Sequence, residues 1–237
     1  MDTQSLMKEI ALGHPACARV LDTLGLNYCC DGGGRLGLEQ ACQAAGQDAE
    51  AVLARLGQVQ SPASLPEWDG NSAISLIRHI LDTHHVFTRE QLAHLETMLE
   101  RLLRRHVETR PELQKILTVF LDLRDDLLSH LLKEENILFP YIEALERHKR
   151  EGTPLPAACF GVIGNPLRQM ESEHAAVTGL LQRLRQATSN YVIPADACTS
   201  YRIALQALEN LESDLLRHIH LENEVLFPQA LALAQTV

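Results

Sequence analysis

Histidine and glutamate recur in this chain at a spacing that suits a metal. His130 is followed four residues on by Glu134, and His218 by Glu222. Both stretches run on through an aliphatic residue to Leu-Phe-Pro, ending at Pro140 and Pro228. On a helix, residues i and i+4 stack on one face a turn apart, so each stretch offers an imidazole beside a carboxylate. That pairing is a metal-ligand spacing.

The duplication reaches further upstream. His85 and His174 stand 89 residues apart, and His130 and His218 stand 88 apart. The chain therefore reads as two copies of a helical hairpin, each giving one lone His and one His-x3-Glu. His220 and Glu224 also have the i,i+4 spacing. Aligning the two Leu-Phe-Pro endings selects Glu222, six residues before Pro228 as Glu134 is before Pro140, and turns His220 and Glu224 elsewhere.

The elements that must carry these groups follow from hydrophobic periodicity. Asn71 or Ser72 caps a helix running to about His106, with Ile74, Ile77, Leu81, His85, Thr88, Leu92, Leu95 and Leu99 inward; His85, not His84, is on that stripe. Pro111 starts a second helix, with Ile116, Phe120, Leu123, Leu127, His130, Glu134 and Ile137 on one face, which Pro140 should kink or end. After a loop from Lys149 to Asn165, Pro166 starts a third, with Leu167, Met170, His174, Val177, Leu181 and Leu184 inward. Pro194 opens the fourth, with Leu208, Leu211, Leu215, His218, Glu222 and Val225. The fold expected is all-α, a four-helix up-down bundle over residues 71–237.

Ahead of it, residues 1–57 read as a small helical domain: a helix from His14-Pro15 stopped by Gly25, then helices over Leu36–Ala45 and Asp48–Leu56. Residues 58–70, with two prolines and no apolar period, read as a linker. Between the first two helices, Cys29 and Cys30 precede Asp31 and three glycines. Two readings fit that pair. It is two small buried residues in a turn, or two thiols that ligate a metal or exchange redox equivalents.

Composition narrows the partners. With 21 Lys and Arg against 31 Asp and Glu, a nucleic-acid or anionic-membrane partner is disfavoured. No apolar run approaches the roughly 20 residues of a membrane span, and no signal peptide opens the chain, so a cytoplasmic protein is expected. The six cysteines lack the spacing of a disulfide framework.

A lone His on an apolar face is more often a core residue than a ligand. Two glutamates on otherwise apolar stripes are harder to explain, because a buried ionised carboxylate costs several kcal/mol unless paired or coordinated, and the stripes hold no Lys or Arg. A metal is the economical counter-charge. Four His and two Glu exceed one tetrahedral zinc and are neither all-oxygen nor thiolate. Two metals bridged by both Glu, each holding two His, use every ligand and leave positions for oxo, hydroxo or a small molecule. Iron is preferred, as in other carboxylate and His sites of four-helix bundles, with zinc or manganese open. Asp126, Asp214 and Glu173 are candidates to orient a ligand His or line an exit path, or are plain solvated acids.

These residues, with Glu-Ser-Glu-His ending at His174 and the vicinal Cys29-Cys30 in front, resemble a hemerythrin-like domain in the setting of the bacterial iron-sulfur cluster repair proteins, the RIC or ScdA-type family. The resemblance covers about Leu12 to Leu233. It implies di-iron ligands at His85, His130, Glu134, His174, His218 and Glu222, and a redox or iron-transfer role for Cys29 and Cys30. No fifth His stands where oxygen-carrying hemerythrins have one. The function implied is repair of clusters damaged by nitric oxide or peroxide, by iron from a labile, oxo- or hydroxo-bridged di-iron centre. Nitric oxide reduction at that centre, and oxygen or nitric oxide sensing or storage, are the alternatives. The partners implied are damaged iron-sulfur proteins or a cluster-assembly scaffold, and the chain is expected as monomer or homodimer.

Overall fold

Side chains with a period of 3.6 build nearly everything in the computed structural model, which describes residues 2–13, 17, 20–21, 23–26, 28, 33–58, 72–155 and 157–235. Short helices come first, among them α1 Met7–Gly13, α2 Leu38–Ala44 and α3 Ala49–Gly57. Four long ones follow. Helix α4 covers 73–106, α5 covers 112–151, α6 is Gly164–Ala187 and α7 covers 199–234. Among the described residues there is no strand, and one antiparallel bridge, Leu6 to Gly37, ties the start of α1 to that of α2.

The long helices pack α4 against α5 and α7, and α5 against α6, with the start of α4 beside the end of α5. That is the up-down bundle. Ser72 caps α4, its Oγ accepting from Ser75 N–H at 3.2 Å. A residue 74 positions away secures the same end: Glu146, on α5, accepts from Ser72 Oγ and from Ile74 N–H, each at 2.9 Å.

Three of the four long helices are not α-helical throughout. Each contains one π turn: Ile80–His85 in α4, Glu134–Leu138 in α5 and Glu222–Leu226 in α7. In these turns Val86, Phe139 and Phe227 N–H donate to Leu81, Glu134 and Glu222 O, five residues back. Prolines 140 and 228 therefore do not end their helices. Proline has no N–H for the carbonyl four residues back and crowds it, and the widened turn accommodates both effects. The extra residue per turn also shifts the apolar stripe by one. Ile137 is 44% exposed and Val225 half-buried, against the inward placement expected of them, while Leu138 and Leu226 are buried in their stead.

Other starts move too. Helix α6 begins at Gly164 and takes Pro166 into its first turn, where no N–H is needed. Helix α7 begins at Thr199 rather than Pro194. Pro194 instead opens a turn closed by Ala197 N–H, and the Arg202 guanidinium occupies the carbonyls of Ala195 and Ala197.

Two apolar clusters fill the bundle. One, around Leu76, Ile142, Met170 and Phe227, fills one end. The other, around Leu95, Phe120, Leu184 and Leu208, fills the rest and continues into Met7, Leu21, Leu38 and Leu56 of the short helices. Each large apolar side chain so buried contributes about 1.5–3 kcal/mol. Of the helix expected from His14, residues 17, 20, 21 and 23 are described and helical, and Gly25 ends it at φ +68°. Cys29, Cys30 and the segment 59–71 lie outside the described residues. Among the described residues, no helix is long and apolar enough to cross a membrane.

Candidate metal centre

Between the two apolar clusters lies a polar layer made of the six residues singled out by spacing. Glu134 and Glu222 are fully buried, and His85, His130, His174 and His218 are 2–3% exposed. They fall into two groups whose ligand atoms lie within 4.8 Å of one another: His85, Glu134, His218 and Glu222, and His130, Glu134, His174 and Glu222. Both carboxylates belong to both groups.

Each carboxylate divides its oxygens between them. Glu134 Oε1 lies 3.2 Å from His130 Nε2, and its Oε2 lies 3.4 Å from His85 Nε2. Glu222 Oε1 lies 3.0 Å from His218 Nε2, and its Oε2 lies 3.1 Å from His174 Nε2. Yet His85 Nε2, both oxygens of Glu134 and Glu222 Oε2 are buried without an aligned hydrogen-bond partner among the described residues. Orphaned buried atoms of this kind are costly, and they converge on two points. Mixed imidazole and carboxylate donors with no thiolate suit a first-row transition metal rather than Ca2+ or Mg2+. The residues fit two cations.

The far nitrogens of three imidazoles are held by acceptors. His85 Nδ1 meets Glu135 Oε1 at 2.7 Å, and Glu135 is held in turn by Arg89 at 2.9 Å. His130 Nδ1 meets Glu173 Oε2 at 2.9 Å, and Lys133 and Gln169 reach the other oxygen of Glu173. His174 Nδ1 meets Asn223 Oδ1 at 2.9 Å. With Nδ1 so engaged, each ring turns its Nε2 inward, as metal-binding histidines generally do.

Glu135 and Asn223 were not singled out from the sequence, although a signal exists: each directly follows its copy's inward Glu. Glu173 was a candidate, but it orients His130 on the neighbouring helix rather than its own neighbour His174. Asp126 is exposed, off the stripe of the buried Leu123 and Leu127 on α5, and no hydrogen bond or ion pair among the described residues joins it to the six. Asp214 pairs with His84, Nδ1 lying 3.0 Å from both carboxylate oxygens, instead of with His218. His84, off the ideal stripe, is nevertheless buried, because the π turn that ends on His85 rotates both inward. His220 and Glu224 are exposed.

The field in the layer matches the acids it holds. Burial alone disfavours the His130 imidazolium, but Glu134, Glu222 and Glu173 more than offset that and push it up to about 9. Burial opposes ionisation of Glu222 too, and His218 and His174 outweigh it, holding the acid well below its ordinary range. Glu173, raised by burial but hydrogen-bonded to Lys133, Gln169 and His130, falls to about 2.

The model of the hemerythrin HHE cation binding domain matches residues 76–230. That of the ScdA_N domain, a domain of unknown function, matches residues 3–60. Among curated proteins, the chain is similar to the iron-sulfur cluster repair protein YtfE of Escherichia coli O157:H7 and of Shigella boydii serotype 4. Each is 33% identical over 225 residues, covering 94% of this chain and 95% of the relative.

Proposed function

The chain belongs to the hemerythrin HHE cation-binding family, and from that premise we propose that it repairs damaged iron-sulfur clusters by giving up iron held in the polar layer. His85, His130, Glu134, His174, His218 and Glu222 hold two non-haem iron ions per chain, with Glu134 and Glu222 shared between them. The observation that carries this reading is the pair of overlapping His2Glu2 groups. The relatives at 33% identity are named for cluster repair, which supports the same use here.

Iron in this reading is cargo. Neutral imidazoles and carboxylates hold ferrous iron less tightly than a thiolate cage, so an acceptor richer in sulfur draws it away. The chain's own part is to keep six donors aimed inward, through Glu135, Glu173 and Asn223, and to exclude water with the apolar clusters on either side. When bound, the metal pair also supplies open coordination positions for small ligands such as nitric oxide or oxygen. Cys29 and Cys30, in the N-terminal unit of residues 1–57, act as the redox or transfer thiols. The recipient is a damaged iron-sulfur protein or assembly scaffold of the cytoplasm, where free thiols persist.

The test follows an enzyme whose cluster has been damaged by nitric oxide, mixed with iron-loaded protein and no added iron. Recovery of the enzyme with matching loss of iron from the chain is expected. Iron that stays in place, with reversible oxygen binding, overturns donation in favour of a carrier. Recovery that survives Cys29→Ser/Cys30→Ser removes the thiols from the transfer.

A further inference from the structure

The internal repeat makes the two metal positions comparable residue by residue, and they differ on one side. His130 of the first copy corresponds to His218 of the second, and the residues that cover them correspond as well. Glu173, one before His174, covers His130. Its counterpart 89 residues earlier is His84, one before His85, and His84 covers His218, ring stacked on ring at 5.4 Å and 5°. Lys133, whose ammonium closes the first face by pairing with Glu173, has Leu221 as its counterpart 88 residues on. Thus a Lys–Glu ion pair seals one face, and on the corresponding face His84 meets Asp214 with no Lys or Arg among the described residues pairing with them.

What replaces the seal is a pocket of about 930 Å3 in the groove between α4 and α7. His84 and Leu221 line it, and Val86 and Leu216, 50% and 41% exposed, stand at its rim. Leaving Glu90 aside, its carboxylates are Asp82 and Asp214 against one cation, Arg217, which donates to Ser213 Oγ. No described Lys or Arg pairs with Asp214, whereas Arg89 and Lys133 neutralise Glu135 and Glu173. A net negative pocket lowers the energy of a cation passing through it.

We propose that the His84–Asp214 pair is a transient cation site, through which the ion of the His85/His218 group leaves for the pocket and solvent ahead of its neighbour. The inference rests on the iron-donating function proposed above. His84 is one ring away from His218, and Asp214, which lines the pocket, directs both oxygens to His84 Nδ1 at 3.0 Å. The ion exchanges an imidazole and a carboxylate of the polar layer for the imidazole and carboxylate of this pair, displacing to water the proton shared by His84 Nδ1 and Asp214, and then exchanges the pair for water as that proton returns. No electron moves. The ion of the His130/His174 group, behind Glu173 and Lys133, has no such stepping stone among the described residues.

Protein loaded anaerobically with ferrous iron and mixed with excess ferrous chelator tests this by the rate of coloured complex. Two phases of one ion per chain each are expected. Asp214→Asn and Leu216→Trp, the latter filling the pocket from its exposed rim, each slow the fast phase about tenfold, the scale at which residues just outside a ligand set act, while two ions still bind. A fast phase unchanged or accelerated in Asp214→Asn overturns the assigned site, acceleration being the mark of a pair that only steadies His218. Slowing by Leu216→Trp alone also overturns it, leaving the pocket as a route without the pair. If Asp214→Asn fails to hold two ions, Leu216→Trp decides, an unaltered fast phase overturning the route. Wild-type protein that takes up no iron overturns the proposed function itself, and two ions released at one rate overturn only the inference.

Discussion

His130 Nε2 lies 3.1 Å from His174 Nε2, while the Nδ1 atoms of both rings face oxygen acceptors, Glu173 and Asn223. Two neutral rings so held would turn lone pairs at each other. A proton or a metal must sit between them, and the carboxylates around His130 favour the proton when metal is absent.

From this comes a pH dependence. His130 is raised to about 9, so in metal-free protein at pH 7 it is an imidazolium that must lose its proton to ligate. Metal uptake at pH 7 is expected to release that proton, measurable by calorimetry in buffers of different ionisation enthalpy. Apparent affinity should rise with pH as the proton leaves more easily, then level off above about 9 for this group. Proton release indistinguishable from zero at pH 7 contradicts the assignment.

Because Glu134 and Glu222 each serve both groups, their loss and that of a histidine should differ. Glu134→Ala or Glu222→Ala is expected to abolish both metal positions, and His85→Ala to leave about one ion per chain. Metal analysis of freshly purified variants separates these. One ion retained in Glu134→Ala would show that the carboxylate is not shared.

Glu135 and Asn223 hold His85 and His174 from outside the polar layer. Glu135→Ala and Asn223→Ala are expected to weaken metal binding by about 10–100-fold without changing stoichiometry at saturation. Competition against a chelator of known affinity reads this. Unchanged affinity in both would make these contacts incidental.

Glu146 is 7% exposed and accepts two bonds from the start of α4. Glu146→Ala leaves Ser72 Oγ and Ile74 N–H without that partner, at an expected cost of about 1–3 kcal/mol in urea unfolding. Metal content should hold, since no ligand is touched. A change below about 0.5 kcal/mol, as for an ordinary surface substitution, would show the cap to be redundant.

The two His-x3-Glu copies made the six-residue cluster legible, because i,i+4 spacing and burial of an acid act within one helix and need no knowledge of the fold. The stripes through Leu92, Phe120, Leu181 and Leu208 were legible for the same reason. Ile137 and Val225 were misplaced because a π turn inserts a residue where periodicity assumes 3.6 throughout. The positions of Leu138 and Leu226, each four beyond a ligand Glu, carried the correction unread. Partners of the ligand histidines were harder. Glu135, Glu173 and Asn223 each reach a different helix, and only packing decides which. Cys29 and Cys30, outside the described residues, rest on their motif alone.

The widened turns all sit at the level of the six inward donors, in mid-helix. Ordinary helices fray from their tips; here the slackest backbone bonding runs across the waist, where a five-residue ladder step replaces a four-residue one. Amide exchange should accordingly show a dip in protection at Val86, Phe139 and Phe227 relative to the turns above and below. The molecule can loosen at its middle, where the six donors sit, while both greasy ends stay shut.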